Sequence, residues 1–143
     1  MTDNKIFARI TIASHLISPD AITARLAIEP TRSWGIKEWD TPDHKAWGKN
    51  NVWIYQIGPT PAVHAGNVLD HLVERLSDKQ SELVEFSEQA FIEVGIIVYQ
   101  YDTPVSINLS TTSVEFIGKI GSSIDVDYCV RTMPDIASGG DIT

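Results

Sequence analysis

The sequence predicts an α+β domain with a mixed, largely antiparallel sheet of about five strands, helices on one face, and a partly ferredoxin-like second half. Three observations predict it. Short segments alternate apolar and polar residues with period two, as half-buried strands do. Other segments repeat apolar residues at three- and four-residue spacing, as amphipathic helices do. The two kinds interleave in the order β-α-β-α-β-β-α-β, and its later part resembles most of a split β-α-β unit.

The first strand is expected over residues 6–13. Ile6, Ala8, Ile10 and Ile12 share one aliphatic face, and Phe7, Arg9, Thr11 and Ala13 share the other. A short helix follows. Ser18 suits the N-cap, Pro19 the first helical position and Asp20 the positive helix end, while Ile17 and Ile22 occupy the two positions of a hydrophobic staple. Ile22 and Leu26 lie on one helical face, and Pro30 ends helical geometry before it. Residues 30–50 carry Pro, Gly, Asp and Asn punctuation and read as irregular. Residues 52–57 read as a second strand.

The longest helical signal covers 65–88, with Leu69, Leu72, Val73, Leu76 and Leu83 at helical spacing. Ser77-Asp78-Lys79-Gln80 is a weakly apolar stretch at which it can break in two. Residues 91–101 are apolar on both faces, with Glu93 the one charge, which predicts a central strand. Asp102-Thr103-Pro104 reads as a turn, and Val105, Ile107 and Leu109 as the start of a return strand in a hairpin. The next helix spans about 111–120. Thr112 and Glu115 or, alternatively, Ser110 cap it, and Gly121 suits the left-handed position that ends it. The last strand is SIDVDYCV, with Ile124, Val126, Tyr128 and Val130 expected inward. Residues 1–131 read as a single domain, and 132–143, rich in Pro, Gly, Ser and Asp, as a flexible tail.

The first helix, the segment Pro30-Thr31-Arg32-Ser33-Trp34-Gly35 after it, the helix beginning at Ser110 and the closing GSSIDVDYCV together resemble the family catalogued as domain of unknown function 4279, mainly bacterial. Its members share a leucine-rich short helix followed by Pro-Thr-x-x-Trp and Gly, and end with a short helix, a Gly and an aliphatic-Asp strand. The likeness covers roughly residues 5–130. It implies an α+β fold and carries over no catalytic residue, because the family has none assigned.

Composition narrows the partners. The formal net charge is −8, so phosphate backbones and anionic membranes repel the chain; neither nucleic acid nor membrane is an expected partner. No apolar run approaches the length of a membrane span. The single cysteine, Cys129, fits a reducing compartment, and the first residues lack the basic start and apolar run of a signal peptide; the expected location is cytoplasmic. No phosphate loop, G-x-G-x-x-G, G-x-S-x-G or C-x-x-C occurs, so no cofactor and no catalytic residue is expected. The four histidines form no i, i+4 or H-x-H pair, so no metal is expected either.

Residues 30–53 hold all four tryptophans, with Arg32, Lys37, Lys45, Lys49 and His44 among them. Indoles there either pin a long connection over the sheet or form a recognition surface. Arg32, Trp34 and Trp39 are the candidate binding residues, with Trp53 serving the core. In an extended segment Arg32 and Trp34 project to one side, so the guanidinium can stack on the indole and present its donors to an anion. Asp125 and Asp127 share a strand face with Ser123 and Cys129, where a solvated face competes with a cation site. Negative charge beside the thiol disfavours a thiolate and argues against a reactive Cys129.

The expectation is therefore a non-enzymatic binding or protein-interaction module for a basic protein partner or a small anionic ligand at the Arg32/Trp34 segment. Toxin-neutralising proteins are of this small, acidic type. The alternative is a small enzyme or small-molecule-binding domain with a pocket under residues 30–50.

Overall fold

The computed structural model describes residues 2–38 and 47–131. Five strands form one sheet: β1 (Lys5–Ser14), β2 (Arg32–Trp34), β3 (Asn51–Thr60), β4 (Phe91–Gln100) and β5 (Ser123–Val130). Their order is β2-β3-β1-β4-β5. All neighbours are antiparallel except β4 and β5, which run parallel and are joined through a helix. The sheet is thus mixed, and the fold class is α+β. The helices are α1 (Pro19–Leu26), α2 (Ala65–Leu76), α3 (Gln80–Ser87) and α4 (Thr111–Lys119). A 3-10 turn at Ser77–Lys79 divides the long helical signal into α2 and α3, at the stretch that lacks apolar residues.

Every helix packs on one side of the sheet. Ile6, Ala8, Ile10 and Ile12 of β1 meet Ile92, Val94, Ile96 and Val98 of β4, and all are buried beneath Ile22, Leu26, Leu69, Leu72, Leu76, Leu83, Phe116 and Ile117 of the helices. Trp53 joins them from β3, fully buried, and its indole N–H donates to Thr23 Oγ1 of α1 at 3.0 Å. A buried indole needs that partner, and the bond fixes α1 against the sheet. Ser18 caps α1 through its side chain, and Ser110 caps α4. The Ser110 and Ser113 hydroxyls also donate to Asp70 Oδ1, at 2.7 and 2.6 Å, which ties α4 to α2.

Three readings of the sequence are corrected. Residues 105–109 form no return strand. Pro104 precedes them, and the start of α2 takes their hydrogen bonds: the Ala65 N–H donates to Ser106 O and the Ser106 N–H to Val63 O. Gly66 lets this crossing come close, since a Cβ there would lie 1.9 Å from Asn108 O. Arg32–Trp34, read as irregular, is a three-residue strand, too short to show a period. β4 lies inside the sheet, paired on both edges as its two-sided apolar run predicts, beside β1 at the middle. Ile124, Val126, Tyr128 and Val130 lie on the helix side but are exposed, because β5 is an edge that the helices do not reach across.

Buried polar side chains hold the connections. Asn4 donates to Ala62 O at 3.1 Å and Thr103 O at 2.9 Å, and accepts from the Tyr101 N–H at 2.8 Å. Ser14 donates to Gln89 O at 2.7 Å and accepts from the Leu16 and Ile17 N–H groups. Each removes an unpaired backbone group from the interior.

Candidate functional site

The face of the sheet opposite the helices carries the remaining chemistry. The strand register lays it out as rows running across the sheet. The first row is Trp34, Val52, Ala13 and Phe91. The second is Arg32, Ile54, Thr11, Glu93 and Ser123, and the third Gln56, Arg9, Gly95 and Asp125. The fourth is Phe7, Ile97 and Asp127, and the fifth Lys5, Tyr99 and Cys129.

The first rows are closed by aromatic packing. Trp34, 3% exposed, forms a second small core with Ala13, Val52 and Ile54, and Trp47 packs against it. Trp47 also meets Phe91, ring centroids 5.9 Å apart. Arg32 is exposed and holds its guanidinium 5.2 Å from the Trp34 ring centroid, the stacking expected from their i, i+2 spacing. Trp39 lies outside the described residues, as do His44, Lys45 and 132–143. The described indoles of this segment thus pack on the sheet, while the exposed Arg32 offers accessible donors beside Trp34.

Among the described residues the later rows are open. They form a cleft of about 440 Å³ lined by Phe7, Arg9, Gln56, Ile97, Tyr99, Asp127, Tyr128 and Cys129. Phe7 and Tyr99 meet edge to face at 6.2 Å, and Arg131 lies 5.0 Å from the Tyr99 ring centroid. Gly95 lies between Arg9 and Asp125, and the Arg9 side chain passes over it, its Nε 3.8 Å from where a Cβ would stand, an ordinary contact distance.

Electrostatics set the character of this half. Glu93, Asp125 and Asp127 project from the same face as Arg9. Burial raises the Glu93 pKa above its ordinary 4.5; the Asp125 charge adds to that, Arg9 opposes it, and Asp127 adds again. No described histidine lines the cleft beside the Cys129 thiol. His71 sits on α2 at 3.8 Å from Glu74, in the helix layer. Among the described residues no group of three or more His, Cys, Asp or Glu is placed to hold a metal ion. No described helix is long and apolar enough to cross a membrane.

Sequence reasoning singled out Arg32, Trp34 and the Asp125/Asp127 pair and did not single out Phe7, Arg9, Gln56 and Tyr99. Their signal was present. Phe7 and Arg9 sit on the non-aliphatic side of the first strand, yet alternation alone does not say whether that side is covered.

Fold and face together define an α+β domain whose sheet is covered by helices on one side and carries polar, aromatic and acidic groups on the other. The chain matches the family model described as Domain of unknown function (DUF4279) over residues 4–131, and it belongs to that family. No curated protein and no solved structure matches it.

Two outcomes follow. Trp34→Ala removes a buried indole and should cost ~3–5 kcal/mol in chemical denaturation, while Arg32→Ala, at an exposed stack, should stay within about 1 kcal/mol. Equal losses would mean that the guanidinium, rather than the indole, organises the segment. The second concerns pH. A raised pKa means the folded chain holds the Glu93 proton more tightly than the unfolded chain. Stability is then lost as pH rises from about 4.5 through the folded pKa. Glu93→Gln should therefore be more stable than the parent at pH 7, with the advantage gone at about pH 3. Denaturation curves at the two pH values check this, and an advantage independent of pH contradicts it.

Proposed function

We propose that this protein is a non-enzymatic binding module that takes a basic protein partner on the uncovered face of its sheet. The observation that carries the reading is the concentration of Glu93, Asp125 and Asp127 on an exposed sheet face, answered there by Arg9. Carboxylates that already repel one another gain when a cationic group arrives, and complementary potential speeds its approach. The −8 net charge acts in the same direction at longer range. Neutralisation of a basic toxin is one form such a role would take. Arg32 stands in the Glu93 row, three strand spacings or roughly 14 Å away, and would take an acidic group of the same partner or a small anionic ligand.

A second reading rests on the cleft itself. Arg9 beside the rings of Phe7 and Tyr99, with Asp127 across from it, suits a small molecule that carries both an anionic and a cationic group. Among the described residues no histidine stands beside Cys129 in it, which favours binding over catalysis.

Titration of the ¹⁵N-labelled chain with a nine-residue polylysine peptide at low salt tests the first reading. Amide shifts should concentrate at residues 93–97 and 123–129, and Asp125→Asn with Asp127→Asn should weaken binding about tenfold or more. Shifts confined to the helix layer, or no change in affinity on removing both carboxylates, would contradict it. Saturation by a zwitterionic amino acid with no response to polylysine would favour the second reading.

A further inference from the structure

The two edges of the sheet are built differently. β2 has three residues, a blunt edge of the kind that discourages pairing. β5 has eight residues in unbroken register with β4, with no bulge, proline or lysine. It ends the strand order, so its outer row of backbone N–H and C=O groups has no strand beside it among the described residues. Such an edge is a ready template for another strand.

Its side chains say what kind. On the helix side Ile124, Val126 and Tyr128 keep 38–41% of their surface exposed, whereas their β4 neighbours Val94, Ile96 and Val98 are 0–1% exposed. The apolar layer of the sheet thus runs past its helical cover. Tyr128 is held there: its hydroxyl accepts from the Val105 N–H at 2.9 Å and donates to Gln100 Oε1. On the open side the same strand shows Asp125 and Asp127, about 7 Å apart along it. An incoming strand therefore meets carboxylates on one face and aliphatic side chains on the other.

Charge decides among occupants. In the antiparallel registers that pair most of β5 with a second copy, about Val126 or about Asp127, Asp125 would oppose Asp127 of the other chain or Asp127 would oppose itself. Like charges directly opposite destabilise a strand pair. The chain's own segment 132–143 holds Asp135 and Asp141 and no Lys or Arg, so it adds negative charge to negative. A foreign strand with Lys or Arg at alternate positions satisfies both faces.

We propose that the outer edge of β5 receives an extended segment of a partner protein that alternates basic and apolar residues, added as a sixth strand. Basic side chains lie over Asp125 and Asp127, apolar ones against Val126 and Tyr128, and backbone hydrogen bonds supply affinity. The inference rests on the reading of this face as a site for a basic partner and adds how that partner docks.

The test uses the full ¹⁵N-labelled chain and ten-residue synthetic peptides. One alternates Lys and Val, one has the same composition with its lysines contiguous, and one alternates Glu and Val. Two further versions of the first carry N-methyl groups on every Lys or on every Val. The alternating Lys/Val peptide should bind about tenfold or more tighter than the contiguous one. One methylated version should lose binding and the other keep it, because residues of one face send their N–H groups to one edge. Asp125→Lys with Asp127→Lys should transfer preference to the Glu/Val peptide.

Equal binding of alternating and contiguous peptides, or equal behaviour of the two methylated versions, overturns strand addition and leaves the basic-partner reading standing. No response to either Lys peptide overturns both. A concentration-dependent dimer lost on Val126→Lys would put a second copy on the edge. Nuclear Overhauser contacts between β5 and residues 132–143 in the free chain would put its own C-terminus there. Either result overturns the inference.

Discussion

Alternation along β1 is the constraint on which the rest of the molecule depends. It sends Ile6, Ala8, Ile10 and Ile12 into the helix layer and Phe7, Arg9 and Thr11 to the opposite side. β1 is paired on both edges, so its register orients β3 and β4, and through them β2 and β5. A one-residue slip would exchange the two faces of the pairing strand. Trp53 reinforces the correct register, since its indole reaches Thr23 of α1 only from the helix side. The distribution of charge across the open face is thus a consequence of the same register that builds the core.

The helices shield one side of a sheet that has two. A sheet of this kind normally keeps its free side polar, and this one does so unevenly. Near β2 the free side is sealed by Trp34, Trp47 and Phe91. Near β5 it is left to Arg9, Glu93, Asp125 and Asp127 around a cleft walled by Phe7 and Tyr99. The short edge at β2 and the long one at β5 follow the same division. Aromatic packing and exposed charge thereby fall at different ends of one surface, which allows one end to vary in charge without loss of the other's burial.

Much of this was legible in the sequence. Periodicity marked β1, β3, β4 and β5, because each is long enough to repeat, and the capping residues Ser18 and Ser110 marked two helix starts. Arg32 and Trp34 showed their shared side through i, i+2 spacing, although the strand holding them was too short to declare itself. Residues 105–109 alternate as a strand would, yet their hydrogen bonds go to the start of α2, a competition decided by tertiary contact. The same limit hid the cleft. Period two sorts residues into two sides, and only the packed neighbours decide which side is covered, so alternation alone did not single out Arg9. Tyr128 and its strand-mates read as core for the same reason.

The account turns on that face being open in the folded protein, and the chain's single cysteine reports on it directly. Cys129 lies on the open side of β5 and is exposed. Its reaction with a disulfide reagent in native buffer should proceed at a rate set by thiol chemistry, independent of how fast the protein unfolds. Modification that instead waits for global unfolding, with a rate matching the unfolding rate, would mean that the face is covered and would contradict the account.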